Sequence, residues 1–277
     1  MRPLLPALLI TALAGAATPP GLEIVRPVIA QSEDGIRVPS GFEHVPGETL
    51  FFSCRIAGYS KTAEDKVHVT YSVQAFDPKG IPLTEIYQNE LITDVAPQDK
   101  EWMPKIATQV LIPPLVASGS YKLMVKAQDV FAKTNAELAV PFEVRGREVE
   151  PSPTLVIRNF QFLRAEDDSH PLEKPAFKPG DPLWVKFDIT GFRYGDKNHN
   201  EVSYQAGLLS PTGKVLWTQP EPAVESSDSF YPKRYVAAQM GLNLLPTTRP
   251  GEYTMLLTVK DAVGGQTYEG KYRFTVE

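Results

Sequence analysis

The residues best suited to metal binding or acid–base catalysis are the histidines and the acidic residues near them. Asp167, Asp168 and His170 lie close enough in sequence to share a metal ion. This cluster offers a single imidazole in a polar stretch, and no second cluster is close to it in the sequence. We interpret it as a solvated loop rather than as a metal site.

A second candidate resembles the start of a calcium-binding loop. Residues 195–202 read GDKNHNEV and place oxygen-bearing side chains at three alternate positions: Asp196, Asn198 and Asn200. A calcium loop of this kind needs glycine at its sixth position and an acidic side chain at its twelfth. Those positions hold Glu201 and Gly207, so we expect a flexible loop and no metal.

Motifs for nucleophilic catalysis or cofactor binding do not occur in the sequence. It contains no Gly-x-Ser-x-Gly, no His-Glu-x-x-His, no phosphate-binding loop and no dinucleotide-binding glycine pattern. Cys54 is the only cysteine, so it has no partner for an internal disulfide. We predict a small buried side chain there, no enzymatic activity and no cofactor.

Aromatic residues are the remaining candidates, since flat rings stack on sugars and fill protein interfaces. Phe51 and Trp184 occupy matching outward positions in two alternating runs. An outward aromatic in both runs indicates either a covered rim or a binding platform. Trp102 and Trp217 would extend such a platform toward a carbohydrate ligand.

One sequence frame occurs twice in the chain. PGETLFFSCRIAGY begins at Pro46, and PGDPLWVKFDITGF follows 133 positions later, which superimposes Gly47 on Gly180. The register continues, with a shift of 132, as far as the final strand. We interpret this as a tandem duplication of a unit of about 125 residues. The predicted domains cover residues 22–146 and 155–277, joined by a linker at 147–154.

Each unit reads as a series of short strands. Inward residues alternate with outward ones in the first frame, and in its second copy Trp184, Lys186, Asp188 and Thr190 are outward. No window of eleven or more residues follows the helical period. The sequence therefore predicts an all-β chain of two tandem antiparallel β-sandwich domains.

Two segments, LIPPLVASGSYKL and LNLLPTTRPGEYTM, resemble the approach to strand F of immunoglobulin-like and fibronectin type III-like domains. The resemblance implies a tyrosine corner, in which the hydroxyls of Tyr121 and Tyr253 bond to upstream backbone. Cys54 stands where antibody-type domains keep a cysteine, but its partner position holds Leu123. The chain is therefore closer to the disulfide-free fibronectin-like group.

Asp129 and Asp261 recur at the end of strand F in the two units. Recurrence in both predicts a structural role, an Asx-type cap on the loop between strands F and G. Gly47 and Gly180 are likewise structural, at the turn into strand B.

Loop residues that differ between the units are candidates for function. By the same resemblance, Tyr59 and Phe131 would lie at a free tip and contact a partner, as would Trp184 on its strand. Tyr194 and Tyr268 would lie at the interdomain junction. The alternative for each ring is packing over its own core.

Composition and the N-terminus bound the location and the partners. A net charge of −5 and a pI near 5.5 argue against nucleic acid and against an anionic membrane surface. Arg2, followed by a short apolar run and small residues, predicts a signal peptide at 1–17, with export to the periplasm or the extracellular space. No later run is long and apolar enough to predict a membrane anchor.

The sequence therefore predicts an exported, non-enzymatic binding or assembly module with a protein or carbohydrate partner. One alternative is a carbohydrate-binding accessory module, which requires exposed tryptophans in a coplanar row. Another is a two-domain periplasmic chaperone of the pilus type, which requires a basic cleft between unlike domains. The sequence alone identifies no arginine for such a cleft.

Overall fold

A computed structural model describes residues 21–96, 98–99 and 101–277, so the predicted signal peptide at 1–17 lies outside the described residues. Within these ranges the chain is all-β, and its one helical element is a 3-10 turn at Asp196–Asn198. No helix among them is long and apolar enough to span a membrane. The strands are β1 (Glu23–Ala30), β2 (Glu43–His44), β3 (Thr49–Ala57), β4 (Lys66–Phe76), β5 (Tyr87–Asp94), β6 (Lys105–Leu111), β7 (Gly119–Asp129), β8 (Asn135–Val144), β9 (Val156–Leu163), β10 (Ala176–Phe177), β11 (Pro182–Thr190), β12 (Asn200–Leu209), β13 (Val215–Thr218), β14 (Ala223–Ser227), β15 (Val236–Asn243), β16 (Gly251–Asp261) and β17 (Gln266–Val276).

The N-terminal half is a β-sandwich built from β1 to β8. Three strands in the order β1-β3-β6 form one sheet, and five in the order β2-β8-β7-β4-β5 form the other. Pairing is antiparallel except between β2 and β8. The alternating apolar residues of both sheets meet in one core, which includes Leu50, Phe52, Cys54, Ile56, Val67, Val69, Leu123 and Val125.

The C-terminal half repeats this strand order with β9 to β17. One sheet has the order β9-β11-β15, and the other has β10-β17-β16-β12 with both β13 and β14 on the outer edge of β12. A second core includes Leu183, Val185, Phe187, Ile189, Leu257, Val259 and Phe274. The predicted all-β sandwich class is confirmed.

The crossover before β7 and the one before β16 are fixed by buried tyrosines. The Tyr121 hydroxyl donates to the carbonyl of Ala117, and the Tyr253 hydroxyl donates to that of Arg249, each at 2.8 Å. Burial raises the pKa of Tyr121 to about 12, so its hydroxyl remains a donor across the physiological range. Each bond closes a short loop against the start of the strand that follows.

A tight turn precedes β3 and β11. Gly47 has a φ of +85° and Gly180 a φ of +91°, a left-handed conformation that glycine adopts without the strain a Cβ would bring. The amide of Gly47 also donates to the carbonyl of Ile112. The turn therefore positions the start of β3 for pairing with β6.

The two halves meet through a short segment, residues 229–235, which precedes β15. Tyr231 of this segment is buried in the core of the N-terminal half. Its hydroxyl donates to Asp77 at 3.0 Å, and Arg234 forms an ion pair with the same carboxylate oxygen. The other oxygen of Asp77 accepts the amides of Lys79 and Ile81 at 2.8 Å each. We call these three residues, Asp77, Tyr231 and Arg234, the junction triad.

Two of the positions predicted to be outward on β11, Asp188 and Thr190, are buried. The Thr190 hydroxyl donates to the carbonyl of Arg234 at 3.3 Å, because the segment 229–235 covers that end of the strand. Strand alternation predicts that Asp188 faces outward, yet its side chain is fully buried. The guanidinium of Arg147, which precedes β9, donates to it at 2.8 Å, and the amide of Asn159 does so at 2.8 Å. The chain between the halves therefore covers this end of the strand, a long-range contact that alternation does not reveal.

Candidate functional site

A groove of about 590 Å³ lies on the outer face of the sheet β1-β3-β6. Phe51 of β3 stands beside it, and we call it the Phe51 groove. Small side chains from all three strands line the middle: Val28, Ala30, Ser53 and Ala107. Its volume falls in the range of sites that hold a small molecule or a few side chains.

The middle of the groove is open because the outward residues there are small. The strand register aligns Ser53 with Ala107 in the N-terminal half, and Lys186 with Gln239 at the matching place in the C-terminal half. Lys186 donates to the Asp168 carbonyl at 3.3 Å, and Gln239 donates to the Glu166 carbonyl at 3.0 Å. Long side chains thus tie the loop that contains Glu166 and Asp168 over the middle of the second sheet. On the first sheet the matching loop, residues 32–35, lines the groove and is held at its rim by the ion pair between Asp34 and Lys105.

The aromatic side chains at the ends of the two outer faces, Phe51 and Trp184, also differ in what they contact. Trp184 pairs with Gly241, and its ring lies so close that a Cβ added to Gly241 would be 2.8 Å from it. Phe51 pairs instead with Gln109, whose side chain is exposed at the edge of the groove. The indole therefore covers its own sheet, while the phenyl ring flanks an open space.

The opposite end of the groove carries three cationic side chains, Arg26, Arg55 and Lys105, and the acidic residues Glu33 and Asp34 belong to the same lining. Arg55 donates to the Met103 carbonyl at 2.7 Å, and Lys105 pairs with Asp34 at the rim. Arg26 is exposed at a bulge in β1, with a φ of +52°, and has no ion pair with a described residue. An arginine guanidinium at such a site can donate two parallel hydrogen bonds to one carboxylate.

The matching end in the C-terminal half carries the opposite charge. Asp188 occupies the strand position of Arg55, and Asn159 lies at a bulge in β9 with a φ of +50°. Burial raises the pKa of Asp188, against the bond from Asn159 and the charge of Arg147. That carboxylate is occupied by the chain's own arginine.

The three residues predicted to contact a partner do not lie together. The Tyr59 hydroxyl bonds to the Trp102 carbonyl, and the two rings meet edge to face over the first core. Phe131 is 45% exposed and lies against His68. Trp184 is in the other half. Of the three, Phe131 presents the most open ring.

The residues predicted for the junction both contact the C-terminal half. The Tyr194 hydroxyl donates to the Lys233 carbonyl and so helps to hold the segment 229–235 in place. Tyr268 packs against the second core beside Tyr272. The polar contact between the halves is made by the junction triad, which sequence reasoning missed. The aromatic and basic run SFYPKRY was the available signal.

The tryptophans do not form a coplanar row. Trp102 follows β5, Trp184 lies on the outer face of β11, and Trp217 packs against the second core from β13. One arginine, Arg234, lies between the halves, and it is paired with Asp77. Among the described residues no group of three or more His, Cys, Asp or Glu side chains is placed to hold a metal ion.

Asp129 and Asp261 join two loops at the end of each sandwich. One oxygen of Asp129 accepts the amides of Phe131 and Ala132 at 2.9 and 3.0 Å, and the other accepts the amide of Ser60. Asp261 accepts the amides of Gly264 and Arg193 at 3.0 and 2.9 Å. Each carboxylate thereby caps its own loop and holds the neighbouring one.

No protein-family model matches the chain, and no curated protein matches it. Among solved structures it is similar to the C-terminal domain of the AgI/II polypeptide BspA of Streptococcus agalactiae, with 11% identity and a TM-score of 0.32 over 91% of this chain and 100% of that chain. It is similar to the C-terminal domain of the antigen I/II-family protein AspA of Streptococcus pyogenes, with 10% identity and a TM-score of 0.32 over 91% of this chain and 99% of that chain. It is also similar to native alpha-2-macroglobulin of E. coli, with 10% identity and a TM-score of 0.29 over 92% of this chain and 17% of that chain. At these values the likeness carries no argument about function.

Proposed function

We propose that this protein is an exported, non-enzymatic binding module of two β-sandwich domains, which holds a partner protein in the Phe51 groove. The observation that carries the proposal is the difference between two matching sheet faces. The face in the C-terminal half is closed by Lys186, Gln239 and Trp184, which contact their own chain. The face in the N-terminal half has Ser53 where the other has Lys186, and Ala107 where the other has Gln239. It leaves a groove of about 590 Å³.

The sequence supports the location and the class of partner. The predicted signal peptide at 1–17 directs the chain to the periplasm or beyond it. The acidic balance of the whole chain disfavours nucleic acid. Small outward residues on three neighbouring strands leave apolar surface and a cationic end in one concave place, which is typical of a site that takes side chains of another protein.

The test fills the groove with residues that the chain already tolerates on its other sheet. The double substitution S53K/A107Q places the side chains of Lys186 and Gln239 at their matching positions. A photo-crosslinking amino acid at Gln109, on the groove edge, is activated in the presence of secreted and periplasmic proteins from the source organism. We expect a discrete crosslinked protein with the parent chain and none with the filled groove.

A matched control makes the same chemical changes on the other sheet of the same half. S72K/A139Q places lysine and glutamine on the outer face of β4 and β8, and should leave the crosslink unchanged. A crosslink that survives S53K/A107Q would overturn the proposal, as would its absence with the parent chain.

A further inference from the structure

The cationic end of the Phe51 groove has a counterpart in the C-terminal half that is already occupied, and the occupant is the segment that joins the two halves. Arg147 leaves the N-terminal half ahead of β9 and reaches across the outer face of β11. Its guanidinium meets the buried Asp188, and it also lies 5.9 Å from the ring centre of Tyr235. This end of the sheet therefore binds the joining segment through one charged side chain, which meets Asp188 on β11 and the ring of Tyr235 just before β15.

The charges of that contact are reversed in the N-terminal half. Arg55 stands at the strand position of Asp188, and Arg26 stands at the bulge position of Asn159. A segment that follows the same path over β3 would need a carboxylate where Arg147 has a guanidinium. Opposite charges attract across such a contact, and a cationic residue there would be repelled.

The remainder of the groove fits an apolar side chain. Val28, Ala30 and Ala107 line its middle, and the Phe51 ring closes the far end. Side chains on one face of an extended peptide recur at every second residue. A peptide with a carboxylate and an apolar side chain at such spacing would reach both ends of the groove.

We propose that the Phe51 groove binds an extended acidic segment of a partner protein, with a carboxylate at Arg26 and Arg55 and an apolar side chain against Phe51. This inference rests on the proposed function and names the chemistry of the partner. Lys105 adds a third cation at the rim, where Asp34 already pairs with it. With the acidic residues Glu33 and Asp34 in the same lining, the net positive charge of the groove suits a single carboxylate at Arg26 and Arg55 and not a densely anionic polymer.

The probe is a fluorescent eight-residue peptide in which glutamate and leucine alternate, and its binding is followed by anisotropy. We expect saturable binding that weakens as salt is added. Replacing each glutamate by glutamine should weaken binding by about tenfold or more, because each charged contact to a guanidinium is lost. A peptide of alternating lysine and leucine should not bind.

Two substitutions and one control locate the contact. R26E reverses a charge that makes no ion pair with a described residue, so it tests the groove without breaking an internal bond. R55E does the same at the strand but also removes the bond to Met103. Both should abolish binding of the glutamate peptide. R145E changes an arginine of the same half that is 69% exposed and pairs with Glu43, and should leave binding unchanged.

Reversal of specificity gives the sharpest outcome. R26D/R55D should lose the glutamate peptide and gain the lysine peptide, since it recreates the charge found at Asp188. Absence of glutamate-peptide binding at millimolar concentration overturns the inference, and so does binding that survives R26E. Saturable binding of a fluorescent oligogalacturonate that R26E abolishes, without binding of the glutamate peptide, would assign the groove to a sugar acid and would likewise overturn the inference.

The failure of this inference and that of the proposed function can be told apart. A protein crosslink at Gln109 that disappears with S53K/A107Q, without any binding of the acidic peptide, retains the proposed function and rejects the acidic segment. Self-association abolished by R26E would identify the occupant as a second copy of this chain and would reject a separate partner.

Discussion

Asp129 shows how one side chain holds two loops in place. It is buried, and its two oxygens accept backbone amides from Ser60 and from the loop that follows β7. Burial alone would raise the pKa of Asp129, but the bonds from Ser60, Ala132 and Phe131 outweigh it and lower the pKa from its ordinary value of 3.8. The folded state therefore prefers this carboxylate ionised.

The substitution Asp129→Asn should lower the free energy of unfolding at neutral pH by about 1–3 kcal/mol, because an amide offers one accepting atom where the carboxylate offers two. The contribution of the parent carboxylate is present above the unfolded value of 3.8 and is lost as the pH falls through the lower folded value. The gap between parent and variant should therefore narrow in acid. Urea unfolding at a series of pH values measures it.

Glu137→Gln is the control for this comparison, since Glu137 is 53% exposed on β8 and pairs only with a lysine. A gap between parent and D129N that stays constant from neutral to strongly acidic pH would contradict the role of the ionised group.

Sequence identifies this position but not its partner. Asp129 recurs as Asp261, which marks both as structural. Ser60 and Arg193, whose amides complete the two sites, lie 69 and 68 positions away in the chain. Nothing in its residue type marks Arg193, because its bond uses the backbone, whereas Ser60 contributes its hydroxyl as well, which donates to Asp129 at 2.9 Å.

On the outer face of the sheet β9-β11-β15, the indole of Trp184 packs directly on Gly241. Trp184 and Gly241 face each other across β11 and β15, and three ring atoms lie within 2.9 Å of the place a Cβ would take. Such a distance is too short for any real contact between carbon atoms. The strand pair therefore depends on the missing side chain.

Gly241→Ala should displace the Trp184 indole from its sheet and lower the free energy of unfolding by about 1–3 kcal/mol. The tryptophan emission of the folded protein should also change, because the ring becomes more exposed to water. Thermal unfolding and fluorescence spectra of the variant measure both effects.

Gly207→Ala is a matched control on β12 of the same half. Its added Cβ would lie 3.5 Å from the nearest atom, an ordinary contact. Equal losses of stability in the two variants would show that the cost comes from the strand backbone and not from the indole.

The alternation of inward and outward residues predicts the strands, but it does not predict which outward side chains another part of the chain covers. The inward rows of β3 and β11 are buried, as their period of two indicates. Asp188 has the opposite parity and is buried as well, because Arg147 crosses over it. The Phe51 groove is hidden from sequence for a related reason: Ser53 and Ala107 are unremarkable residues until they are compared with Lys186 and Gln239.

The molecule as a whole is joined by more than its linker. Tyr231 of the C-terminal half is buried in the core of the N-terminal half, and Arg234 and Tyr231 both bond to Asp77. Burial raises the pKa of Tyr231, which keeps its hydroxyl protonated and able to donate. The sequence predicts the linker from its prolines, but it does not predict that one half completes the core of the other.

Arg234→Ala should loosen this connection, because it leaves the buried Asp77 without its charged partner. Because Arg234 is partly exposed, we expect a loss of about 2 kcal/mol at the junction, the size of a hydrogen bond to a charged group, and unfolding of the two halves in separate steps. Calorimetry resolves the steps, and small-angle scattering should report a wider range of relative orientations.

Arg273→Ala removes an arginine of the same half that is 76% exposed and pairs with Glu252 on the surface. It should behave as the parent does. A single unfolding step with an unchanged midpoint in R234A would mean that the junction triad does not couple the halves.

Cys54 gives this molecule a built-in reporter. Its thiol is 1% exposed, and burial raises its pKa to about 12, so alkylating reagents can reach a reactive thiolate only when the N-terminal half opens. The matching position of the C-terminal half holds Phe187, and the chain has no other cysteine. The rate of thiol labelling therefore follows the opening of one sandwich alone, and comparison with the unfolding rate of the whole chain distinguishes concerted from stepwise opening.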